Sequence, residues 1–366
     1  MIRAIDKYLF KEITIPLFVG LGLFFIIVAF GQLMKISDSV TGIGITGSEL
    51  LEALAYSIPP MLGILIPVSM LFATLFAVGR MATDSEIVAW CASGGSPFAL
   101  YRMPLMLGTF LMMVCMVATT LGEPWGVKGL RELMARSAQR ALAQGTTPGQ
   151  FTEWVSGVVF YAEARDGDRL QKVFFTDRRD SAQAIAVSAK EGRVLQGASA
   201  SEILFELQDG NIWIQDQAAG RQRMLKFGET VYRLNVGNLV GNKARTLQAV
   251  QGKTLAELQA VIEDPAQKKK HALHSIILHR KFALPIATII FALLAVPLGC
   301  RREPGARARS FLVSALIVGG YYYIGRAAEL QARHADFPVL LAPWLANLMG
   351  LGALIVFSWR FRSKAT

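Results

Sequence analysis

The sequence predicts an α-helical membrane protein with six transmembrane helices and an inserted all-β, jelly-roll-like domain. Three observations carry this. Hydrophobic residues make up 53% of the 366 residues and charged ones only 18%, against about 25% charged in an ordinary soluble domain. The apolar residues gather in blocks near both ends. Between the blocks the pattern drops to a period of two, as half-buried strands require.

The first block runs from Ile13 to Leu33, long enough for the ~20 residues that cross a bilayer. Arg3, Lys7 and Lys11 precede it. It is longer than a signal-peptide core and no Ala-x-Ala site follows, so it is expected to stay uncleaved. The second block, Ala53 to Val78, contains Pro59, Pro60 and Pro67, which membrane helices tolerate where neighbouring groups satisfy the freed carbonyls. The third runs from Met103 to Leu121. After the insert come Ile276–Leu298, Phe311–Ile324 and Val339–Phe357. The fifth has the shortest apolar core, with Arg326 and Glu329 just beyond it.

Lys and Arg in short loops set the orientation. With the N-terminus inside, Arg3, Lys7, Lys11, Arg80, Arg102, Arg301, Arg302, Arg307, Arg309, Arg360, Arg362 and Lys364 are cytoplasmic. The short outer loops carry Lys35 and Arg333. That bias places both termini in the cytoplasm and the insert outside, since long domains translocate largely regardless of charge. The expected division is 1–123 for three spans, 124–270 for the β domain with helical connectors, and 271–366 for three more spans.

The insert opens with a helical stretch, Val127–Ala143. After Thr146-Thr147-Pro148-Gly149, strands are expected at Val158–Ala162, Leu170–Thr176 and Ala184–Ser188, with a turn at Asp166-Gly167-Asp168. Ile203–Leu207 and Ile212–Ile214 flank Asp209-Gly210, a hairpin signal. Met224–Leu234 continues the pattern, and a short amphipathic helix, Leu255–Glu263, leads back to the membrane. Many short strands between turns indicate a sandwich or jelly roll.

The chemistry of an enzyme is missing, so no catalytic residues, cofactor or metal are expected. Val250-Gln251-Gly252-Lys253-Thr254 resembles the tail of a phosphate-binding loop, but Leu247 stands where the motif needs glycine. His271, His274 and His279 have no acidic or cysteine partner nearby in sequence and read as interfacial polar residues. Cys91, Cys115 and Cys300 have neither disulfide nor metal spacing. The net charge is +11, yet no basic stripe with interleaved aromatics points to nucleic acid.

Two constellations remain. The loop after the second span runs from Met81 to Pro97. Thr83 and Glu86 have capping-box spacing. Ile87, Val88, Trp90 and Cys91 supply apolar surface, Gly94 or Gly95 can end a helix, and Ser96-Pro97 can start the next. Such a helix is either an interfacial connector or a dock for a cytoplasmic partner. The second constellation is basic charge at the outer ends of the spans: Lys35, Arg280, Lys281 and Arg326. Snorkelling and a local Arg326–Glu329 pair compete there with recognition of an anionic lipid head group.

The order of several pieces resembles the permease family of the lipopolysaccharide export system (LptF/LptG), nearer its LptF branch. The pieces are Arg3–Glu12 with the span that follows, Gln32-Leu33-Met34-Lys35-Ile36, Asp84-Ser85-Glu86-Ile87-Val88 and Ala92-Ser93-Gly94. They continue with Pro124-Trp125, Gly149-Gln150-Phe151 and Val296-Pro297-Leu298-Gly299. The likeness covers nearly the whole chain.

The resemblance implies an inner-membrane ABC-transporter permease of a Gram-negative envelope that extracts lipopolysaccharide. Its partners would be an LptG-like sister permease, a dimeric LptB-like cytoplasmic ATPase, a bitopic LptC-like subunit and a periplasmic LptA-like bridge. It makes the helix with Glu86, Ile87, Trp90, Ser93 and Gly94 similar to the coupling helix that sits in the ATPase groove. It matches Lys35 and Lys281 to positions expected to meet lipid phosphates; Arg280 and Arg326 join them on local grounds. The competing readings are a lipoprotein-release or macrolide-type permease, which usually has four spans, and a non-transport scaffold.

Overall fold

The computed structural model describes residues 4–40, 46–144, 149–155, 157–166, 169–178, 183–196, 202–216, 221–235, 250–300, 306–333 and 337–365. Nine α-helices and six strands are described, in the order α1 (Ala4–Val40), α2 (Gly47–Thr83), α3 (Glu86–Ala92), α4 (Arg102–Val117), α5 (Glu123–Gln144), β1 (Thr152–Val155), β2 (Val158–Asp166), β3 (Arg169–Asp177), β4 (Gln183–Gln196), β5 (Glu202–Asp216), β6 (Arg221–Asn235), α6 (Leu255–Glu263), α7 (Lys268–Gly299), α8 (Ala306–Arg333) and α9 (Leu345–Ala365). A π-helical turn, Ala118–Gly122, joins α4 to α5 without a break. The chain divides into two compact units. One takes residues 1–28, 58–124 and 253–366, the other 29–57 and 125–252.

Six helical segments are long and apolar enough to cross a membrane, as expected: Ile5–Met34, Gly47–Thr83, Pro97–Ser137, Lys270–Gly299, Ser310–Arg333 and Ala342–Arg360. The fifth has the lowest mean hydropathy, 1.3, which matches its short apolar core. Prolines 59, 60 and 67 lie inside α2, which continues through them. The two most enclosed spans come one from each half of the chain: the most apolar window of α2 is 78% buried and that of α7 is 67%.

Small residues let the spans of this unit approach closely. A Cβ on Gly299 would meet Val78 at 2.9 Å, and one on Gly108 would meet Ala292 at 3.0 Å. Packing of this kind drives helix association where lipid removes the hydrophobic contrast. Leu9, Ile13 and Leu17 of α1 join Met70, Ala73, Val78 and Met81 of α2, Ile87 of α3 and Val296 of α7 in one core. The other face of α1 exposes Ile15, Phe18, Val19, Ile26 and Phe30, as lipid contact allows.

In the second unit the expected all-β domain is a six-stranded antiparallel sheet in the meander order β1-β2-β3-β4-β5-β6. Its ladders are interrupted along one line. Glu163, Lys172, Lys190, Asp209 and Gly228 are skipped, and pairing resumes beyond each in unchanged register. Lys172 and Asp209 take positive φ there, 49° and 52°. Along that line Gln171-Lys172, Lys190-Glu191 and Gln208-Asp209 are each two consecutive exposed residues. A regular strand alternates faces, so the inward phase shifts by one in three adjacent strands together, and the sheet creases.

The crease folds the sheet onto itself. In a flat sheet β2 and β5 would be about 14 Å apart, three strand spacings of roughly 4.8 Å. Instead the rings of Phe160 on β2 and Phe205 on β5 stack at 5.8 Å. Phe175 on β3 meets Tyr232 on β6 at 4.7 Å. Leu133 and Met134 of α5 and Ala53 of α2 belong to the same core. A meander thus acquires the enclosed core of a sandwich.

One expectation fails here. Asp209-Gly210 is not a hairpin, because β5 runs through it from Glu202 to Asp216. Asp209 sits at the crease, and Gly210 is glycine because a Cβ would meet Ser188 O at 2.3 Å. The link from β5 to β6 falls at residues 217–220, outside the described residues.

Candidate functional site

The loop after span two folds into the short helix α3. Its N-terminus differs from the expected capping box. Thr83 still belongs to α2 and donates its hydroxyl to Gly79 O at 2.9 Å. The N-cap is Ser85, in the left-handed region at φ 60° and without a side-chain cap. Glu86 is therefore the first residue of α3, free to point elsewhere. Its carboxylate accepts a hydrogen bond from the Tyr8 hydroxyl at 2.9 Å. Arg80 lies 3.7 Å from it, 2.9 Å from Glu12 and 3.2 Å from Asp84. Arg80 also donates to the Tyr8 oxygen at 2.7 Å.

The other end of α3 forms as expected. Gly94 has φ 83°. Gly95 N donates to Trp90 O and Gly94 N to Cys91 O, each at 3.0 Å. This pair of bonds is the Schellman motif with glycine at C′. A Cβ on Gly95 would run into the Trp90 ring at 2.2 Å, so each glycine of the pair has its own reason. Pro97 opens a 3-10 turn, Pro97–Tyr101. Ile87 is buried in the core of the span unit, while Val88, Cys91 and Ser93 are exposed and Trp90 is half-buried. The Ser93 hydroxyl donates to Trp90 O at 2.8 Å. Thus α3 is anchored by one face and presents the other.

The second set of residues gathers on α7, on α8 and at the π turn that ends α4. Lys281, on α7, is 2% exposed. Its ammonium donates to Thr119 O at 2.9 Å and to Glu123 Oε2 at 3.0 Å. The Thr119 hydroxyl donates back to Lys281 O at 2.9 Å. The π turn of span three is therefore stitched to α7 by reciprocal bonds. Arg280 and Arg326 converge on one oxygen of Glu329, at 3.7 Å and 2.8 Å. Tyr321 donates to Asn347, which donates to Ala283 O, linking α8, α9 and α7. Lys35 lies in α1, and its side chain is outside the described residues.

The histidines of α7 do not converge. His274 Nε2 lies 3.2 Å from Lys253 Nζ, His271 bonds Asp264 O, and His279 accepts from Trp344 at 3.4 Å. The stretch that resembles a phosphate loop ends in a helix start instead. Thr254 and Glu257 form a full capping box at the head of α6. Sequence reasoning missed that box and missed Tyr8, Glu12, Thr119 and Glu123. The Thr254-x-x-Glu257 spacing was a usable signal; the other four gain their roles only from partners far along the chain.

Comparison with known proteins gives one consistent result. Residues 7–360 match the family model described as lipopolysaccharide export system permease LptF/LptG. The chain is also similar to the lipopolysaccharide export system permease protein LptF of Escherichia coli strain K12, 22% identical over 361 residues, covering 98% of this chain and 94% of the relative. The corresponding proteins of Escherichia coli O157:H7 and Shigella flexneri match to the same extent.

Proposed function

The chain belongs to the lipopolysaccharide export permease family LptF/LptG, and from that premise we propose how its two polar constellations serve transport. As a member it is a multi-pass inner-membrane permease subunit of lipopolysaccharide export. In our reading it pairs with an LptG-like sister permease to enclose a lipid cavity. A dimeric LptB-like ATPase sits below, and LptC-like and LptA-like proteins receive the lipid from the periplasmic β domain. Both termini are cytoplasmic.

Force enters through α3. Glu86, Ile87, Trp90, Ser93 and Gly94 form the coupling surface: Ile87 ties it to the span core, and Glu86 reaches a cation of the ATPase. Lys35, Lys281, Arg280 and Arg326 serve the lipid phosphates at the periplasmic side. A single observation supports the division of labour: α3 is rooted in the core through Ile87 yet leaves Val88, Cys91 and Ser93 exposed. A helix fixed on one face and open on the other can pass a partner's movement to the spans.

The test is purification in gentle detergent with mass spectrometry of what remains bound. A second permease, an ATPase and lipopolysaccharide are expected together. Cysteines placed at Ser199 and Ser363 add the orientation: only the first should react with an impermeant reagent on intact cells. Purification of the chain with no ATPase and no lipid, or labelling of Ser363 alone, refutes the reading.

A further inference from the structure

Glu329 stands on α8 three residues after Arg326 and faces Arg280 of α7. Its carboxylate is 6% exposed, and both guanidinium groups approach the same oxygen, at 2.8 Å and 3.7 Å. Two cations therefore share one anion. Arg333, four residues on, lies within electrostatic reach of all three. Its Nε is buried and has no hydrogen-bond partner among the described residues. The cluster carries more positive charge than its carboxylate neutralises, and it holds one donor in reserve.

Burying a charge is costly unless it is matched. Glu329 and Arg280 are enclosed, at 6% and 17% exposed, while Arg326 reaches the surface at 58% and so stands where a ligand can meet it. Two arginines drawn to one carboxylate oxygen, Arg326 by a hydrogen bond and Arg280 by an ion pair at 3.7 Å, match an anion with more acceptor oxygens, as guanidinium recognition of phosphate uses. Span five is also the least enclosed of the six, its most apolar window being 17% buried. Beside the apolar packing of α8 on α7, this ion pair is a polar contact that an anion can open.

We propose that Glu329 is a built-in counter-ion that a lipid phosphate must displace, and that this exchange selects phosphate monoesters over phosphate diesters. The inference rests on the lipid reading given above and adds the chemical class. A diester head group carries one negative charge, so trading it for Glu329 gains nothing in charge. A monoester carries about −1.5 to −2 near neutral pH and brings three acceptor oxygens to Arg280, Arg326 and Arg333. Only the monoester repays the loss of the carboxylate. Glu329 thereby keeps the abundant diester phospholipids of the bilayer out of the site.

The experiment compares two lipids with identical acyl chains, phosphatidic acid and phosphatidylglycerol, binding to the full chain with its co-purifying partners in nanodiscs. Native mass spectrometry reads the occupancy. The wild type should prefer the monoester by about tenfold, the ratio that 1.4 kcal/mol corresponds to. Glu329→Gln keeps the shape and an acceptor but removes the charge. It should raise phosphatidylglycerol binding and bring the ratio toward one. Arg326→Gln should lower phosphatidic acid binding and leave phosphatidylglycerol unchanged.

An unaltered ratio in Glu329→Gln, or equal weakening of both lipids, overturns the proposal and leaves Glu329 a structural pair. Displacement of phosphatidic acid by inorganic phosphate alone at millimolar concentration overturns the head-group assignment. Lipopolysaccharide that still co-purifies in either case keeps the transport reading intact. Absence of any phosphorylated lipid from the wild type removes both.

Discussion

Two charge clusters of the span unit solve opposite problems. Near α3, three carboxylates, Glu12, Asp84 and Glu86, surround one arginine, Arg80. On α7 and α8, two arginines surround one carboxylate, Glu329, and Lys281 is held by Glu123. Burial differs as well as sign. Arg80 and Glu86 are 28% and 31% exposed, whereas Lys281 and Glu123 are 2% and 15% exposed. The cluster around Arg80 is wetter and locally holds more carboxylate than cation, which suits a protein partner that supplies a cation. The second is drier at Lys281 and Glu329, with Arg326 reaching the surface at 58% exposed, and holds more cation than carboxylate around Glu329, which suits a ligand that brings phosphate. The difference teaches that the sign of the local charge excess tells what a site awaits.

The sharpest way to break this comparison is to remove Glu123. In a dry site the loss of one partner strands the other charge, a cost of about 3–5 kcal/mol. Glu123→Ala should lower the stability of the purified protein by that order, read as the midpoint of unfolding in detergent. The double change Lys281→Met with Glu123→Leu should recover most of it, because an apolar pair of similar volume is often neutral or better. If Lys281 also serves lipid phosphates, the double variant will be stable yet load less lipid. A double variant with full stability and full loading assigns the pair to packing alone.

The opposite end should answer in the opposite way. Glu86 is half-exposed in a cluster already overloaded with negative charge. Glu86→Lys should change the stability of the isolated chain by less than about 1 kcal/mol, as exposed pairs do. Its association with the ATPase should weaken by about 2–5 kcal/mol if the partner cation is buried on docking. Pull-down of the ATPase by the variant measures this, and a reversed charge on the ATPase should restore it. Undiminished pull-down with Glu86→Lys removes the contact.

How legible were these sites before the structure? The spans were, because length and apolar composition suffice for a helix across a bilayer. So was the end of α3, since Gly94 at a left-handed position announces itself. The start of α3 was not. Thr83-x-x-Glu86 and Thr254-x-x-Glu257 have the same spacing, yet only the second is a capping box. Thr83 is still inside α2, and its hydroxyl serves the backbone four residues back. Local spacing cannot say where the preceding helix ends. The partners of Lys281 and Glu86 were hidden for a different reason. Glu123 lies 158 residues from Lys281, and Tyr8 lies 78 from Glu86, so only packing brings them together. The crease was legible and was misread. Paired polar residues at Gln171-Lys172, Lys190-Glu191 and Gln208-Asp209 break alternation in three adjacent strands, but Asp209-Gly210 alone looks like a turn.

The smallest expected effect concerns the hydroxyl that ties the α3 end together. Tyr8 accepts from Arg80 at 2.7 Å and donates to Glu86 at 2.9 Å, while Arg80 and Glu86 themselves stand 3.7 Å apart. The hydroxyl is thus the closer link, and it belongs to span one. Tyr8→Phe keeps the ring and removes the link. Hydrogen bonds to charged groups contribute about 1.5–3 kcal/mol, but Tyr8 is 37% exposed, so about 0.5–1 kcal/mol is the sensible figure here. Stability should therefore barely move. What should change is transmission. With Glu86 no longer held by span one, ATPase association should persist while lipid-stimulated hydrolysis falls about two- to threefold. A double-mutant cycle with Glu86→Gln isolates the link, since contacting residues show a coupling that separated ones lack. A cycle that closes to zero means span one hears nothing through Tyr8, and the exposed cluster serves docking only.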